Sequence, residues 1–230
     1  MPDVVLFDFF GTLVRYEADR TVLQYPLCHD LLGRWGWRRS HDDFVALWDE
    51  ASRAVDDRMA DSQEEASMVD YATAFGQHAE VDLADERCRE LAATFVAEWS
   101  RHVGPIDSAP ELVRELASSH RLGIVSNTND TEMVPRLVGL HFSPELFEHT
   151  VLSVEHGFRK PHPSIYEAAL DLFGADASRT VFVGDSYEAD YQGPTFAGMG
   201  AFLIDPASRH PVPPRHRLTS VLDLPTRLSA

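Results

Sequence analysis

Four consecutive apolar residues, Val4 to Phe7, stand ahead of Asp8 and predict a strand within residues 3–8 that is buried on both faces. Residues 9–16, with two aromatics and then Gly11-Thr12, read as a loop over the end of that strand. From about Asp19 to Val103 the period changes to that of a helix. Apolar residues recur through Val22, Leu23, Tyr25, Leu27, Leu31, Leu32 and Trp35, and through Phe44, Val45, Leu47 and Trp48. They do so again through Ala51 to Val55 and through Leu91, Ala92, Phe95, Val96 and Trp99. Ser40, with Asp43 three residues on, is a helix start. Four helices without a strand predict a small bundle whose aromatics pack its core.

After Gly104-Pro105 helices and strands alternate. The pattern predicts a helix over 110–118 with Pro110 in its first turn, a strand over 122–126, and a helix over 131–140. A short strand over 150–153 and a helix over 164–173, stopped by Gly174, come next. A strand over 180–184, a helix over 188–198 and a strand over 201–204 complete the series. The tail from Asp205 is rich in Pro, Arg and His, and a short element is expected near 218–224. This succession implies an α/β fold, a doubly wound parallel sheet with helices on both faces. The expected core is 1–15 with 105–230, and the helical insert is 16–104.

A chain of 230 residues, 44% hydrophobic, can bury a full core. Cys28 and Cys88 are too few for a disulfide scaffold and have no metal-ligand spacing, so buried reduced thiols are expected. Asp3 and Asp8 interrupt the first apolar run, and no apolar stretch reaches spanning length; a cytoplasmic protein without a signal peptide or membrane contact is the expectation. The formal net charge of −17 disfavours nucleic acid and anionic membranes as partners. It also means that any site for an anion must be made positive locally. Lys160 is the only lysine; every other cationic side chain is arginine. A compact ammonium therefore does something there that a planar guanidinium cannot.

Candidate chemistry collects at the expected strand ends, where open α/β sheets bind ligands. Asp8 is placed as a nucleophile, and Thr12 can orient it. Ser126 and Asn127 close a strand with a hydroxyl and an amide, donors suited to phosphate or carboxylate oxygens. Lys160 can neutralise Asp8 and the charge that develops on a transferring group. Asp8 and Asp185, at two strand ends, make a two-carboxylate site of the kind that holds Mg2+, and Asp190 joins them as a further acid.

Four stretches, VVLFDFFGTLV at 4–14, IVSNT at 124–128, GFRKPHPSIY at 157–166 and VFVGDSYEAD at 181–190, together resemble the four motifs of the haloacid dehalogenase superfamily. The resemblance covers residues 4 to about 204. It implies a Rossmann-like core, a helical cap domain inserted after the first motif, and a covalent intermediate on Asp8. It also implies Mg2+ held by Asp8, the backbone carbonyl of Phe10 and Asp185. The chain departs from the pattern at one place: the phosphatase form is Asp-x-Asp-Gly-Thr, and here the third position is Phe10. A backbone ligand survives that change. The second carboxylate's proton transfer does not, and general acid–base help of this kind is worth about 10²–10⁴-fold.

Three readings follow. The first is a Mg2+-dependent hydrolase of a phosphorylated small molecule, acting through an aspartyl-phosphate. The second is a metal-free 2-haloacid dehalogenase: halide needs no proton, and that branch carries an aromatic at the position of Phe10, but it has Ser where Asp185 stands and Asn where Tyr187 stands. The third is a module that binds ligand without turnover. A carbon–phosphorus hydrolase of the known type would need a cap lysine, and residues 16–103 contain none. The first reading accounts for the most residues.

Overall fold

In the computed structural model, which describes residues 2–17 and 22–229, the chain forms two compact units. One is Met1–Arg15 with Gly104–Ala230, and the other is Tyr16–Val103. In chain order the elements are β1 (Val4–Phe7), β2 (Val14–Arg15), α1 (Pro26–Arg34), α2 (His41–Met59), α3 (Met68–His78) and α4 (Asp85–Trp99). There follow β3 (Gly104–Pro105), α5 (Ala109–Ala117), β4 (Arg121–Ser126), α6 (Met133–His141), β5 (Phe147–Leu152), α7 (Ser153–His156) and α8 (Pro163–Phe173). The chain closes with β6 (Thr180–Gly184), a π-helical turn (Tyr187–Gln192), α9 (Gly193–Phe196), β7 (Gly200–Ile204), β8 (Arg217–Leu218) and α10 (Leu224–Leu228).

The first unit is built on a six-stranded sheet of order β5-β4-β1-β6-β7-β8, parallel throughout. All four residues of β1 are buried, as a continuous apolar strand between two neighbours requires. Val4 and Leu6 point to one face and pack with Ile165, Tyr166, Ala169 and Phe173 of α8. The strand order reverses at β1, which has β4 on one side and β6 on the other. Asp8 leaves the sheet at that switch point, where the crevice between diverging connections opens.

Several elements differ from expectation. β5 starts at Phe147 rather than at 150, because its first residues look polar. Their side chains are nevertheless occupied: Glu148 pairs with Arg121, and His149 meets the Phe173 ring edge-on at 5.0 Å. The helix expected over 188–198 is a π-turn followed by the short α9. The element expected over 218–224 is β8 and then α10, beginning at Leu224. A small antiparallel ribbon pairs Arg15 with Gly104 and Val14 with Pro105, so Gly104 lies in the first unit and not in the insert.

In the second unit the two apolar runs at 44–48 and 51–55 are one helix, α2, and α3 is a helix that the pattern did not single out. α2 starts on the expected box: the Asp43 N–H donates to Ser40 Oγ at 3.1 Å and the Ser40 N–H to Asp43 Oδ2 at 3.0 Å. The first expected helix begins at Pro26, since Gln24 and Tyr25 have φ of 61° and 47°; the start at Asp19 lies outside the described residues. The core here is aromatic, with Phe95 stacked between Tyr25 (4.3 Å) and Trp48 (4.5 Å).

Candidate active site

Asp8 follows β1, and its N–H donates to the carbonyl of Val183 at 2.9 Å, which continues the ladder one step past the strand. The residue is 7% exposed. Its Oδ2 accepts from Thr12 Oγ1 at 2.9 Å, and its Oδ1 from Lys160 Nζ at 2.9 Å. Thr12 reaches back because the chain reverses at Gly11, where φ is 88° and the N–H donates to the carbonyl of Val14. Gly11 is also needed for space: a Cβ there would lie 2.2 Å from Asp185 Oδ2. The Asp185 carboxylate thus packs directly on the backbone of the 9–12 loop.

Lys160 precedes α8 and is 3% exposed. Its ammonium sits between two carboxylates, 2.9 Å from Asp8 Oδ1 and 2.7 Å from Asp190 Oδ1, and 5.0 Å from the centroid of the Phe182 ring. Burial disfavours the ammonium, but Asp190 and Asp8 outweigh that and hold its pKa above the ordinary lysine value. Asp190, 1% exposed, comes from the π-turn. Its other oxygen accepts the Ser186 N–H at 2.9 Å. The fit is close: a Cβ on Gly184 would stand 2.3 Å from Asp190 Cγ. Tyr166 steadies the same turn by donating its buried hydroxyl to the carbonyl of Ala189. Burial, with Asp190 and Asp8 beside it, pushes that phenol well above its usual pKa.

Asp185 ends β6. One side of it opens to solvent. Close packing on the other, with the negative charge of Asp190, raises its pKa to about 6, against the pull of Lys160. Asp8 is raised further, to about 7: burial dominates, Lys160 opposes it, and Asp190 and Asp185 add to it. Oxygens of Asp8, Asp185 and Asp190 all lie within 4.8 Å of one another. Three carboxylates against one ammonium carry two uncompensated negative charges when ionised. That donor set suits a divalent cation. Asp185 is the acid whose carboxylate has no side-chain partner among the described residues, whereas both oxygens of Asp190 are bonded.

The expected site residues Asp8, Thr12, Lys160, Asp185 and Asp190 therefore meet at one place. Ser126 is fully buried at the end of β4, with a long 3.4 Å bond from its hydroxyl to the carbonyl of Asn127. The Asn127 amide, expected to face an anion, is turned instead to the backbone of Lys160. Phe10 has its ring edge-on to Phe9 at 5.1 Å and forms a bridge with Val14. Its side chain is apolar, and what it can offer a cation is its carbonyl. The sequence places Gly11 in the turn beside Asp8, where the structure has it, but it gives no role to Gly184 or Tyr166. Gly184 has a visible signal, since it stands directly before Asp185.

Residues 2–198 match the model of the haloacid dehalogenase-like hydrolase family. The chain is 36% identical over 126 residues to the human haloacid dehalogenase-like hydrolase domain-containing protein 3, covering 52% of this chain and 49% of that protein. It is 34% identical over 88 residues to the glyceraldehyde 3-phosphate phosphatase of Pyrococcus abyssi, covering 38% of this chain and 37% of that one. The chain thus spans half or less of the length of these two curated relatives. Among solved structures, a 2-haloacid dehalogenase from Pseudomonas syringae pv. Tomato DC3000 superposes with a TM-score of 0.72 over 100% of this chain and 99% of that one, at 22% identity, a likeness of fold.

Proposed function

The chain belongs to the haloacid dehalogenase-like hydrolase family, and within it we propose a Mg2+-dependent hydrolase of phosphorylated small molecules that works through an aspartyl-phosphate on Asp8. One observation carries this reading: among the described residues, the cluster of Asp8, Asp185 and Asp190 is paired with a single cation, Lys160. An acid at the open side of such a cluster, beside a nucleophile meant for an anionic substrate, is a liability without a cation and an asset with one. The residues that would hold it are Asp8, the carbonyl of Phe10 and Asp185. Asp190 stands behind them as the partner of Lys160. A divalent cation held there would neutralise phosphoryl oxygens as the substrate binds.

The chain's own groups then have defined tasks. Thr12 and Lys160 hold one Asp8 oxygen each, which sets the carboxylate's orientation towards the crevice. Two N–H groups of Lys160 are occupied by Asp8 and Asp190, which leaves the third for an oxygen of the transferring group. Asp8 attacks phosphorus, the bond from phosphorus to the leaving oxygen breaks, and the leaving group departs with the electron pair. Water then attacks the aspartyl-phosphate, releasing inorganic phosphate and restoring Asp8. Phe10 cannot protonate the leaving oxygen, so substrates whose leaving group is a stable anion are favoured. The helical unit, Tyr16–Val103, serves as the cap domain in this reading.

A second reading, the 2-haloacid dehalogenase, is favoured by Phe10, because halide leaves without a proton. Against it stands Asp185, whose charge would repel a substrate carboxylate in the absence of metal. A panel of phosphate esters and 2-haloacids, each with Mg2+ and with chelator, separates the two. Phosphate release that stops with chelator supports the first. Halide release that survives chelator supports the second. No turnover of either class would overturn both.

A further inference from the structure

We propose that Asn127 is a positioning residue, acting through Lys160 rather than on the substrate. The inference rests on the role given above to Lys160. Asn127 Oδ1 accepts the Lys160 N–H at 2.8 Å, and Asn127 Nδ2 donates to the Lys160 carbonyl at 3.0 Å. The two bonds grip one residue from both sides of its Cα, so they fix the peptide planes that flank the lysine and not merely the distance to it. A single amide is the smallest side chain that can donate and accept at that spacing.

The strand register explains why the grip matters. Asn127 follows β4, which runs parallel to β1 with Ile124 opposite Phe7. Asn127 and Asp8 are thus carried past the same edge of the sheet by neighbouring strands. The clamp ties the loop bearing Lys160 to the element beside the one bearing Asp8. Lys160 reaches the carboxylates on a flexible stem, and its ammonium must meet oxygens of two different elements at 2.9 and 2.7 Å. A long side chain keeps such a position only when its backbone is held. The same loop is closed a second time at its ends, where Ser164 Oγ lies 2.7 Å from His156 Nε2 and 2.8 Å from His162 Nδ1. The segment that carries the ammonium is braced from two directions.

The chain's single lysine provides the test. Protein made with lysine labelled at the ε carbon gives one side-chain lysine resonance, which reports the surroundings of Lys160 with no substrate present. It is compared in the parent, in Asn127→Ala, in Asn127→Ser and in Asp190→Asn, the last marking where the signal goes when an ionic partner is lost. The expected result is that both Asn127 variants move the resonance towards the Asp190→Asn position. They should also lower kcat for a phosphate ester by about 10²-fold, the cost of a displacement near 1 Å, with KM nearly unchanged. A resonance that stays at the parent position with a raised KM would mean the amide binds substrate and would overturn the proposal. So would a moved resonance with undiminished kcat, or no change in either. Should Asn127→Ala fail to fold, Asn127→Ser, which keeps a small polar group there, reads the same quantities. If the parent hydrolyses no ester, the resonance still decides whether Asn127 sets the lysine, while the failure of the phosphatase reading is recorded separately.

Discussion

Glu98 in the helical unit and Asp8 in the sheet unit are both carboxylates taken out of water, at 4% and 7% exposure. Glu98 projects from α4 to the first turn of α1, where it accepts the Leu27 N–H at 3.0 and 3.1 Å and the Cys28 N–H at 3.2 Å. α1 needs this, because its N-cap is Tyr25, whose side chain makes no capping hydrogen bond, and its first residue is Pro26. A helix end is a fixed partial positive charge, and it satisfies a carboxylate with nothing left over. The Cys28 thiol beside it is pushed above the range of ordinary thiols by burial and by Glu98, which makes it inert. Asp8 has a single counter-charge that it shares with Asp190, and Asp185 crowds it from a third side. One buried acid is a closed structural joint. The other belongs to an unbalanced set that a substrate or a cation can complete.

The largest effect should come from removing the shared cation. Lys160→Met leaves Asp8 and Asp190 buried together without it, and breaking a buried ion pair by deleting one partner costs about 3–5 kcal/mol. Urea unfolding at pH 8 should show that loss, with a smaller one at pH 5, where a carboxylate can take a proton. Lys160→Arg should also fail to support turnover, since a forked head does not fit a point-charge position. Near-parental turnover with Arg would remove the electrostatic role from Lys160.

The next test uses pH and metal together. Asp8 and Asp185 have folded pKa values of about 7 and about 6, raised above the usual aspartate range. Raised values mean that the folded form binds more protons than the unfolded chain between those limits. Stability from these groups is therefore full below the unfolded pKa and is lost as pH rises through 6 to 7. The raised pKa of Lys160 acts only at high pH, outside this window. Metal-free protein should thus melt lower at pH 8 than at pH 5.5. Mg2+ should raise Tm more at pH 8, by up to about 2.7 kcal/mol of stabilisation at a hundredfold excess over Kd. Asp185→Asn should abolish the Mg2+ effect, whereas Phe10→Leu, which keeps the carbonyl, should not. Equal Mg2+ shifts at both pH values would break the contrast between the open and the closed carboxylate.

Phe10→Asp tests the odd residue directly. It should raise hydrolysis of alkyl and aryl phosphates by up to about 10²-fold, the lower end of what acid–base help supplies. Poor leaving groups should gain most, and halide release from 2-haloacids should slow. A folded, Mg2+-binding variant with no gain would show that Phe10 is not what limits phosphate release.

The smallest effect belongs to the closed site. Glu98→Gln should lower stability by about 1–3 kcal/mol, through poorer satisfaction of the α1 N–H groups, while leaving the Mg2+ melting shift of the folded protein intact. Loss of that shift would mean the two carboxylates are not the separate cases drawn here.

Local pattern was enough to read the strands Val4–Phe7 and Thr180–Gly184 and the helix ended by Gly174, because continuous apolar runs and a glycine stop are written within a few residues. The acids and the lysine of the site could be named for the same reason, as strand-end residues in recognisable stretches. What the sequence could not carry was pairing over distance. The ribbon of Arg15 with Gly104 has no local signature, and the polar residues of β5 find their partners on other elements, Glu148 with Arg121 and His149 with Phe173. A π-turn and an α-helix present much the same apolar residues over six positions, yet only the wider turn, with Gly184 bare beneath it, brings Asp190 back onto Lys160. In sequence, Asn127 is a strand-end amide suited to an anion's oxygens, and only the neighbouring loop turned it into a clamp. Residue type settled which groups are able to carry charge or donate a hydrogen bond. The tertiary structure decided which are already occupied by the protein itself, because burial and partner distance depend on elements far apart in the chain.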